Sequence, residues 1–427
     1  MRILHVVHQY PPDHVGGAEL YTQAMARRQA AAGHEVAVFC PGPNRGNPGT
    51  AISEAGVRVY RVGQKQRGRL AVFLSGVGAG GSGDAFAAVL AAERPDVVHL
   101  QHLMGLSVDI GAMLRAGGIP YVITLHDYWY GCANAQLLTN YDHSLCRGPD
   151  LRFTNCGRCA LARAGLGLAE PAAPLMAPLM TRRNRLLASI FAGAAAVLAA
   201  TPFVRDAHAA MGLPVERVQI LPLGADVMPG DVAAAGAARR AKRDDSFDVG
   251  YVGGLSRQKG IHTLIAAFNR LPEQARLSIY GDLTAFPAYV AELRYSATHS
   301  GIHFAGPLLR AALWPALGEL DVLVVPTLWY ETYSLIVQEA FAAGVPVVAS
   351  HIGVLPDVVR DGIDGRLFPP GDADALHTIL YELMNQPAQL AALRAARPPV
   401  MTMDDHAARL EAVYQEVTRG GAGEKHE

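Results

Sequence analysis

A charge excess is the first thing this chain does without: 37 lysines and arginines face 38 aspartates and glutamates, a formal net charge of −1 across 427 residues. A broad nucleic-acid-binding face draws on a basic surplus, so nucleic acid is not an expected partner, and small molecules or a local membrane patch are. A secretion signal is missing as well. Met1-Arg2-Ile3-Leu4-His5-Val6-Val7 enters a buried-strand pattern at once, without the charged start, long apolar run and small-residue cleavage site of an exported chain, so a cytoplasmic location is expected. Long apolar runs are scarce. Leu186 to Val204 has the length of a membrane span, but alanine dominates it and Ser189, Gly193, Thr201 and Pro202 interrupt it, so it reads as the end of a helix followed by the strand Ala195–Ala199. Only five cysteines occur, and in the cytoplasm disulfides between them are disfavoured.

What is present is ample for folding. Half of the residues are apolar, enough to bury large cores in two or three domains. The amino-terminal part alternates short apolar strands with alanine-rich amphipathic helices: Ile3–Val7, Glu19–Ala32, Glu35–Phe39, Ala85–Glu93, Val97–Leu100, Ser107–Ala116 and Tyr121–Leu125. A second series runs through Phe247–Tyr251, Ile261–Asn269, Arg276–Tyr280, Tyr289–Ser296, Ile302–Phe304, Leu313–Leu317, Val322–Val325, Val345–Ala349 and Arg366–Phe368. Alternation of this kind argues for parallel sheets covered by helices on both faces, with binding at the carboxyl ends of the strands. The expected architecture is α/β, two doubly wound Rossmann-like domains over 1–228 and 247–398, their strand ends facing across a cleft. The Gly-, Ala- and charge-rich stretch 229–246 is expected as an exposed linker, and 399–427 as a last helix with a loose tail from Gly420.

Several strand-to-helix junctions carry the chemistry. After the strand Asp321–Val325, Pro326 and the pair Trp329-Tyr330 break the chain, and Leu335, Ile336, Ala340, Phe341 and Ala343 space a short helix that Gly344 stops. Glu331 lies at the mouth of that helix and Glu339 in its first turns, while the amides of Tyr333, Ser334 and Leu335 point beyond the strand ends, where an anion fits. Two such glutamates can also do no more than offset the helix dipole. Tyr251-Val252-Gly253-Gly254-Leu255-Ser256-Arg257-Gln258-Lys259-Gly260 likewise follows a strand and precedes a helix, so its glycines, amides and Lys259 converge where a phosphate fits. Near the amino terminus, Gly16-Gly17 lies between the first strand and first helix and lets backbone approach a phosphate or sugar, without the full spaced-glycine fingerprint of dinucleotide binding. His126 ends the strand Thr124-Leu125-His126-Asp127, where a packed imidazole is the commoner outcome.

In this order the segments resemble family 4 glycosyltransferases, enzymes of the two-domain GT-B fold that move sugars from nucleotide-sugar donors. The run from Glu331 to Glu339 is similar to their E-x7-E signature, Gly16-Gly17-Ala18-Glu19 to their Gly-Gly-x-Glu loop, and Gly253–Gly260 to their Gly-Arg-Leu and Lys-Gly loop. The resemblance implies that Lys259 holds the donor diphosphate; Gly254 stands where the family has arginine, and Arg257 is the nearest substitute. It implies that Glu339 binds the ribose hydroxyls, that loops at Gly281-Asp282 and Gly306-Pro307-Leu308 surround the nucleobase, and that Gly16 and Gly17 reach the donor from the first domain. Glu331 and His126 are implied near the sugar, with Tyr333 the aromatic of the Glu-x-Phe-Gly run and Ser334 in place of its glycine. Transfer with retention is implied, the leaving phosphate taking the acceptor's proton, as is a last helix crossing back to the first domain.

The expected function is transfer of a hexose from a UDP- or GDP-sugar to a cell-surface polysaccharide or lipid-linked glycan at the inner membrane face. Arg61–Arg69, with Lys65 and Arg67, and Thr181-Arg182-Arg183-Asn184-Arg185 offer basic side chains for anionic lipid. The alternatives are a nucleotide-sugar epimerase of the same fold and a nucleotide-sugar-binding regulatory protein without turnover, which Gly254 and Ser334 keep open. Asp372-Ala373-Asp374 has the letters of a metal motif but precedes a helix, where aspartate is an ordinary N-cap, so no catalytic divalent ion is expected. Cys132, Cys146, Cys156 and Cys159 fall in a polar insert, 131–160, beside the acceptor side of the expected cleft. Four thiols suit a structural zinc, with free thiols, disulfides and an iron–sulfur cluster as alternatives.

Overall fold

The computed structural model describes residues 1–13, 16–42, 52–63, 76–78, 82–242 and 246–423. Two compact units form, one from Met1–Gly224 with Met403–Glu427 and the other from Ala225–Thr402. In the first, β1 (Arg2–Val6), β2 (Glu35–Gly42), β3 (Ile52–Glu54), β4 (Val57–Gly63), β5 (Val97–Leu100), β6 (Tyr121–Leu125), β7 (Ala196–Ala199) and β8 (Val218–Ile220) make a sheet of order β3-β4-β2-β1-β5-β6-β7-β8. It is parallel except for the antiparallel edge pair β3/β4. Strands such as Val97-Val98-His99-Leu100 and Tyr121-Val122-Ile123-Thr124-Leu125 are buried throughout, which requires cover on both faces.

In the second unit, β9 (Phe247–Val252), β10 (Ala275–Tyr280), β11 (Ile302–Gly306), β12 (Val322–Val325), β13 (Val347–Ser350) and β14 (Gly365–Phe368) form a parallel sheet of order β11-β10-β9-β12-β13-β14. The period-2 alternation of a strand is visible in its cores. Val322 and Val324 of β12 pack with Ile265 and Phe268 on one face, and Leu323 and Val325 pack with Trp314 and Phe341 on the other. Each such side chain, fully buried, contributes about 1.5–3 kcal/mol. Strand order reverses between β1 and β5 in one sheet and between β9 and β12 in the other. Ligands of doubly wound sheets bind beyond the carboxyl ends of the strands at such reversals.

Two expectations need correction, the exposed linker and the loose tail, and one holds. The stretch 229–246 is not simply a linker: Pro229–Ala241 is a helix of the second unit, packed on the helix Arg310–Glu319. A Cβ at Gly318 would lie 2.2 Å from the Ala235 carbonyl oxygen, so the small residues that suggested flexibility allow close packing of two helices. As expected, the apolar run from Leu186 is the end of the helix Ala177–Ala192 followed by strand β7; the helix Pro202–Ala210 comes next, its start capped by Thr201, which accepts from the Val204 N–H. No helix among the described residues is long and apolar enough to cross a membrane. The last helix, Met403–Gly423, packs on the helix Gly17–Ala31 and continues past Gly420.

Candidate active site

The loops at the β9/β12 reversal bring Lys259 and Glu331 together. Lys259 Nζ donates to Glu331 Oε1 at 2.6 Å and lies 5.4 Å from the Trp329 ring centre, while Trp329 Nε1 donates to the same oxygen at 3.1 Å and Thr327 Oγ1 at 3.4 Å. The two loops are clipped by backbone: Leu328 N donates to the Gln258 carbonyl at 2.8 Å. Gly260 has φ +69°, and a Cβ there would stand 1.9 Å from the Pro326 carbonyl oxygen. Only glycine combines that left-handed turn with that approach, so the Lys-Gly pair is fixed by packing as well as by charge.

The neighbouring loops are knitted in the same way. Gly253 N donates to Tyr280 O at 3.0 Å, Gly281 N to Gly306 O at 2.9 Å, and a Cβ at Gly281 would lie 2.3 Å from Gly253 O. Leu308 packs against the core beneath. Gly254 is different. Its carbonyl accepts from Tyr251 Oη at 2.8 Å, but a Cβ on it would meet nothing within 4 Å. Arg257 pairs with Glu292 at 2.5 Å and lies 5.2 Å from the Tyr289 ring centre, so its charge is already matched on the helix Pro287–Ser296.

Ser334 precedes the eight-residue helix Leu335–Ala342 with extended backbone and no side-chain cap; the Val337 N–H donates to the Ser334 carbonyl at 3.1 Å, and the Leu335 and Ile336 amides of the first turn are the donors for a ligand. Tyr333 is largely buried, and burial pushes its hydroxyl pKa up. Within the helix, the Glu339 carboxylate takes a hydrogen bond from Arg310, which also donates to the Asp226 carbonyl and lies over the Trp314 ring. Burial pushes the Glu339 carboxyl up against the pull of Arg310. Arg310 was not singled out in the sequence. It stands two residues beyond Leu308, at the start of the next helix, where the strand-to-helix logic used for Lys259 would have found it.

In the first unit, His126 follows β6. Its Nε2 is 2.7 Å from Gln101 Oε1, and its ring meets that of Tyr21 edge-on at 5.1 Å. Burial, then the neighbouring His102, pushes its pKa down to about 3, so the ring is neutral. Gly17 is open around its absent Cβ, whereas the Glu19 carboxylate lies over Gly16, 2.5 Å from where a Cβ would be. Glu19 Oε1 is 3.5 Å from His8 Nε2. Sequence reasoning also missed the pair His102 and Asp127, with Nε2 to Oδ2 at 2.8 Å and Trp129 N–H donating to Asp127 Oδ1. Gln101-His102 follows β5 as His126-Asp127 follows β6, so strand ends were the available signal.

The four cysteines expected as a zinc set stand around one cavity. Cys132, Cys146, Cys156 and Cys159 are free thiols lining one cavity of about 190 Å³ with Trp129, Leu138 and Arg183. Among the described residues no three His, Cys, Asp or Glu side chains stand together as an ion requires. The sulfurs are engaged locally instead. Gly148 N donates to Cys146 Sγ at 3.4 Å and Asn140 N to Cys159 Sγ at 3.4 Å, and burial pushes the Cys156 thiol up to about 12. Arg183, expected on a lipid-facing surface, is buried at 2% exposure and donates to the Trp129 carbonyl at 2.5 Å. Lys65 and Arg67 lie outside the described residues. Asp372 caps the helix Ala373–Asn385, accepting from Ala375 N at 2.9 Å.

Two parallel-sheet units, each with its glycine-rich or anion-oriented loops at the strand reversal, define a GT-B architecture. Residues 16–224 match the family described as "Glycosyl transferase 4-like domain" and residues 246–386 the family "Glycosyl transferases group 1". The chain belongs to these glycosyltransferases. It is 27% identical to a glycogen synthase of Mycobacterium tuberculosis over 93% of this chain and 89% of that one. Its fold is similar to that of sucrose-phosphate synthase from Thermosynechococcus elongatus (TM-score 0.73, 20% identity, 98% of this chain and 99% of that). It is also similar to Anabaena HepE solved with UDP-glucose (TM-score 0.62, 19% identity, 99% of each chain).

Proposed function

We propose that this glycosyltransferase moves a hexose from a UDP- or GDP-sugar to a polysaccharide or lipid-linked glycan acceptor with retention and without a catalytic metal. The observation that carries the reading is the Lys259–Glu331 pair, locked between two loops beside an uncapped helix start. A departing nucleoside diphosphate needs pre-placed positive charge and N–H donors, and this site offers one ammonium and the amides of a helix start. In the proposed step the bond from the sugar's anomeric carbon to phosphate oxygen breaks, its electron pair leaving with the diphosphate. The acceptor oxygen bonds to that carbon on the same face, and its proton passes to the phosphate.

Lys259 is proposed to turn from Glu331 toward the diphosphate as donor arrives, freeing the Glu331 carboxylate to accept from sugar hydroxyls. Glu339 accepts from the ribose hydroxyls, which requires Arg310 to share or release it, and His126 of the first unit contacts the sugar. A cytoplasmic enzyme working at the inner membrane face fits an acceptor of this kind. Among the described residues, Arg182 and Arg185 on the helix Ala177–Ala192 offer basic side chains for that contact.

The test is nucleoside diphosphate release from a panel of UDP-, GDP- and ADP-sugars, with and without a crude lipid and glycan extract. Release that depends on the extract is expected. A donor rearranged without acceptor would mean an epimerase, and donor binding without release a regulatory protein.

A further inference from the structure

A single chain of hydrogen bonds connects His126 to the last helix, entirely within the first unit. His126 Nε2 meets Gln101 Oε1 at 2.7 Å, Gln101 Nε2 meets His5 Nδ1 at 3.1 Å, and His5 Nε2 meets Gln29 Oε1 at 2.7 Å. Gln29 also hydrogen-bonds the Tyr414 hydroxyl, which lies 2.6 Å from His99 Nδ1, and His99 Nε2 is 2.7 Å from Thr124 Oγ1. His5, Gln29, Gln101, His99 and Tyr414 are all buried. Burial pushes the His5 imidazole down to about 4 and His99 below its usual range, so both rings are neutral and each has one N–H and one bare nitrogen.

With the Gln29 and Gln101 amides oriented as they stand, the chain runs in one direction. An amide oxygen only accepts, so Gln29 Oε1 requires His5 to carry its proton on Nε2. His5 Nδ1 is then bare and accepts from Gln101 Nε2, and Gln101 Oε1 must accept from His126 Nε2–H. On the far side the remaining Gln29 amide N–H donates to Tyr414, whose own O–H donates to His99 Nδ1, and His99 Nε2–H donates to Thr124. Each bond donates away from His126, and reversing one link would require reversing all of them, since every member is already committed at its other end.

We propose that this chain, closed by Tyr414 of the last helix, holds His126 as its Nε2–H tautomer, so that Nδ1 takes a hydroxyl donor of the substrate and does not bind an anionic oxygen. The substrate half of this rests on the proposed contact between His126 and the donor sugar; the tautomer does not. Gln101, His5, Gln29, Tyr414 and His99 are then positioning residues that act through His126. The same helix also reaches Tyr21, the aromatic ring against His126. Tyr21 Oη is 2.5 Å from His406 Nε2, and His406 Nδ1 is 2.8 Å from the Pro222 carbonyl.

The test is long-range ¹⁵N–¹H NMR of full-length protein labelled at histidine, with the His126 signals identified by their loss in His126→Asn. Wild type should show His126 protonated on Nε2 alone without any donor present. Tyr414→Phe, which removes one hydroxyl and keeps the ring, should put the His126 ring in exchange between tautomers, and Gln101→Leu should do so more completely. In turnover, Tyr414→Phe should lower kcat/KM by roughly three- to tenfold, the worth of one hydrogen bond, measured at a temperature where the variant is fully folded, since the buried Gln29 N–H and His99 Nδ1 lose their partner and the melting temperature falls by a few degrees. An Nδ1–H tautomer in wild type, or an unaltered tautomer in both variants, would overturn the proposal. A correct tautomer with no effect on turnover overturns only its substrate half.

Discussion

Gly254→Arg places the side chain that the resembling family carries at this point into a space this chain leaves open. Nothing lies within 4 Å of the added Cβ, and the backbone is already fixed by the 2.8 Å bond from Tyr251 Oη to the Gly254 carbonyl. Fold stability should therefore hardly change, and the gain should appear in the reaction. One charge-assisted hydrogen bond to the departing diphosphate contributes about 1.5–3 kcal/mol, which is roughly 10- to 150-fold in rate constant. Arg257→Ala should change little, because Arg257 is held by Glu292 and Tyr289. Lys259→Met should be severe, since it removes the ammonium paired with the Glu331 carboxylate; adding Gly254→Arg to it should recover part of the loss. The assay is kcat/KM from nucleoside diphosphate release with the best donor, alongside thermal unfolding of each variant. An unchanged or lower kcat/KM for Gly254→Arg, at unchanged melting temperature, would refute the assignment of this loop to the diphosphate.

Two further predictions concern the first unit. Burial pushes His5 and His406 down to about 4, whereas the unfolded chain takes up those protons near pH 6.5. Stability is thus complete above about pH 6.5 and is lost as the pH falls toward 4, by roughly 2 kcal/mol per histidine at pH 5. The melting temperature should drop by several degrees between pH 7.5 and 5, and His5→Gln should flatten that slope; a level profile in wild type contradicts the buried network. Thiol titration of the native protein should count four slowly reacting cysteines, with Cys40, fully buried and pushed up to about 12, reacting only on denaturation. Four silent thiols together with an equivalent of zinc released on denaturation would instead show a zinc set.

Much of the fold was legible because fully buried strands such as Val322-Leu323-Val324-Val325 carry a near-continuous apolar signature, and helix starts and stops are marked by glycine and polar residues. Lys259 and Glu331, far apart in sequence, could be assigned to one region because both follow strands of the second series and match motifs of the resembling family. Their direct pairing could not, because it depends on the clip between Gln258 and Leu328. The helix Pro229–Ala241 was illegible for the opposite reason: alanine and glycine are read as flexible when isolated, and their value lies in what they allow a neighbour to approach. The hydrogen-bonded partners of Glu339 and His126 were hidden too. Strand ends mark the positions of Arg310 and Gln101, but which carboxylate or imidazole each one meets is set only by tertiary structure.

The amino-terminal unit is finished by the carboxyl terminus, and this has a consequence for biosynthesis. While the ribosome is still translating the middle of the chain, His99, Gln29 and Tyr21 have been made but the residues that cover them have not. The continuous central stretch can mature earlier, and the portion translated first is completed last. A premature stop codon within the helix Met403–Gly423, ahead of Tyr414, would thus damage the half of the protein encoded farthest from it.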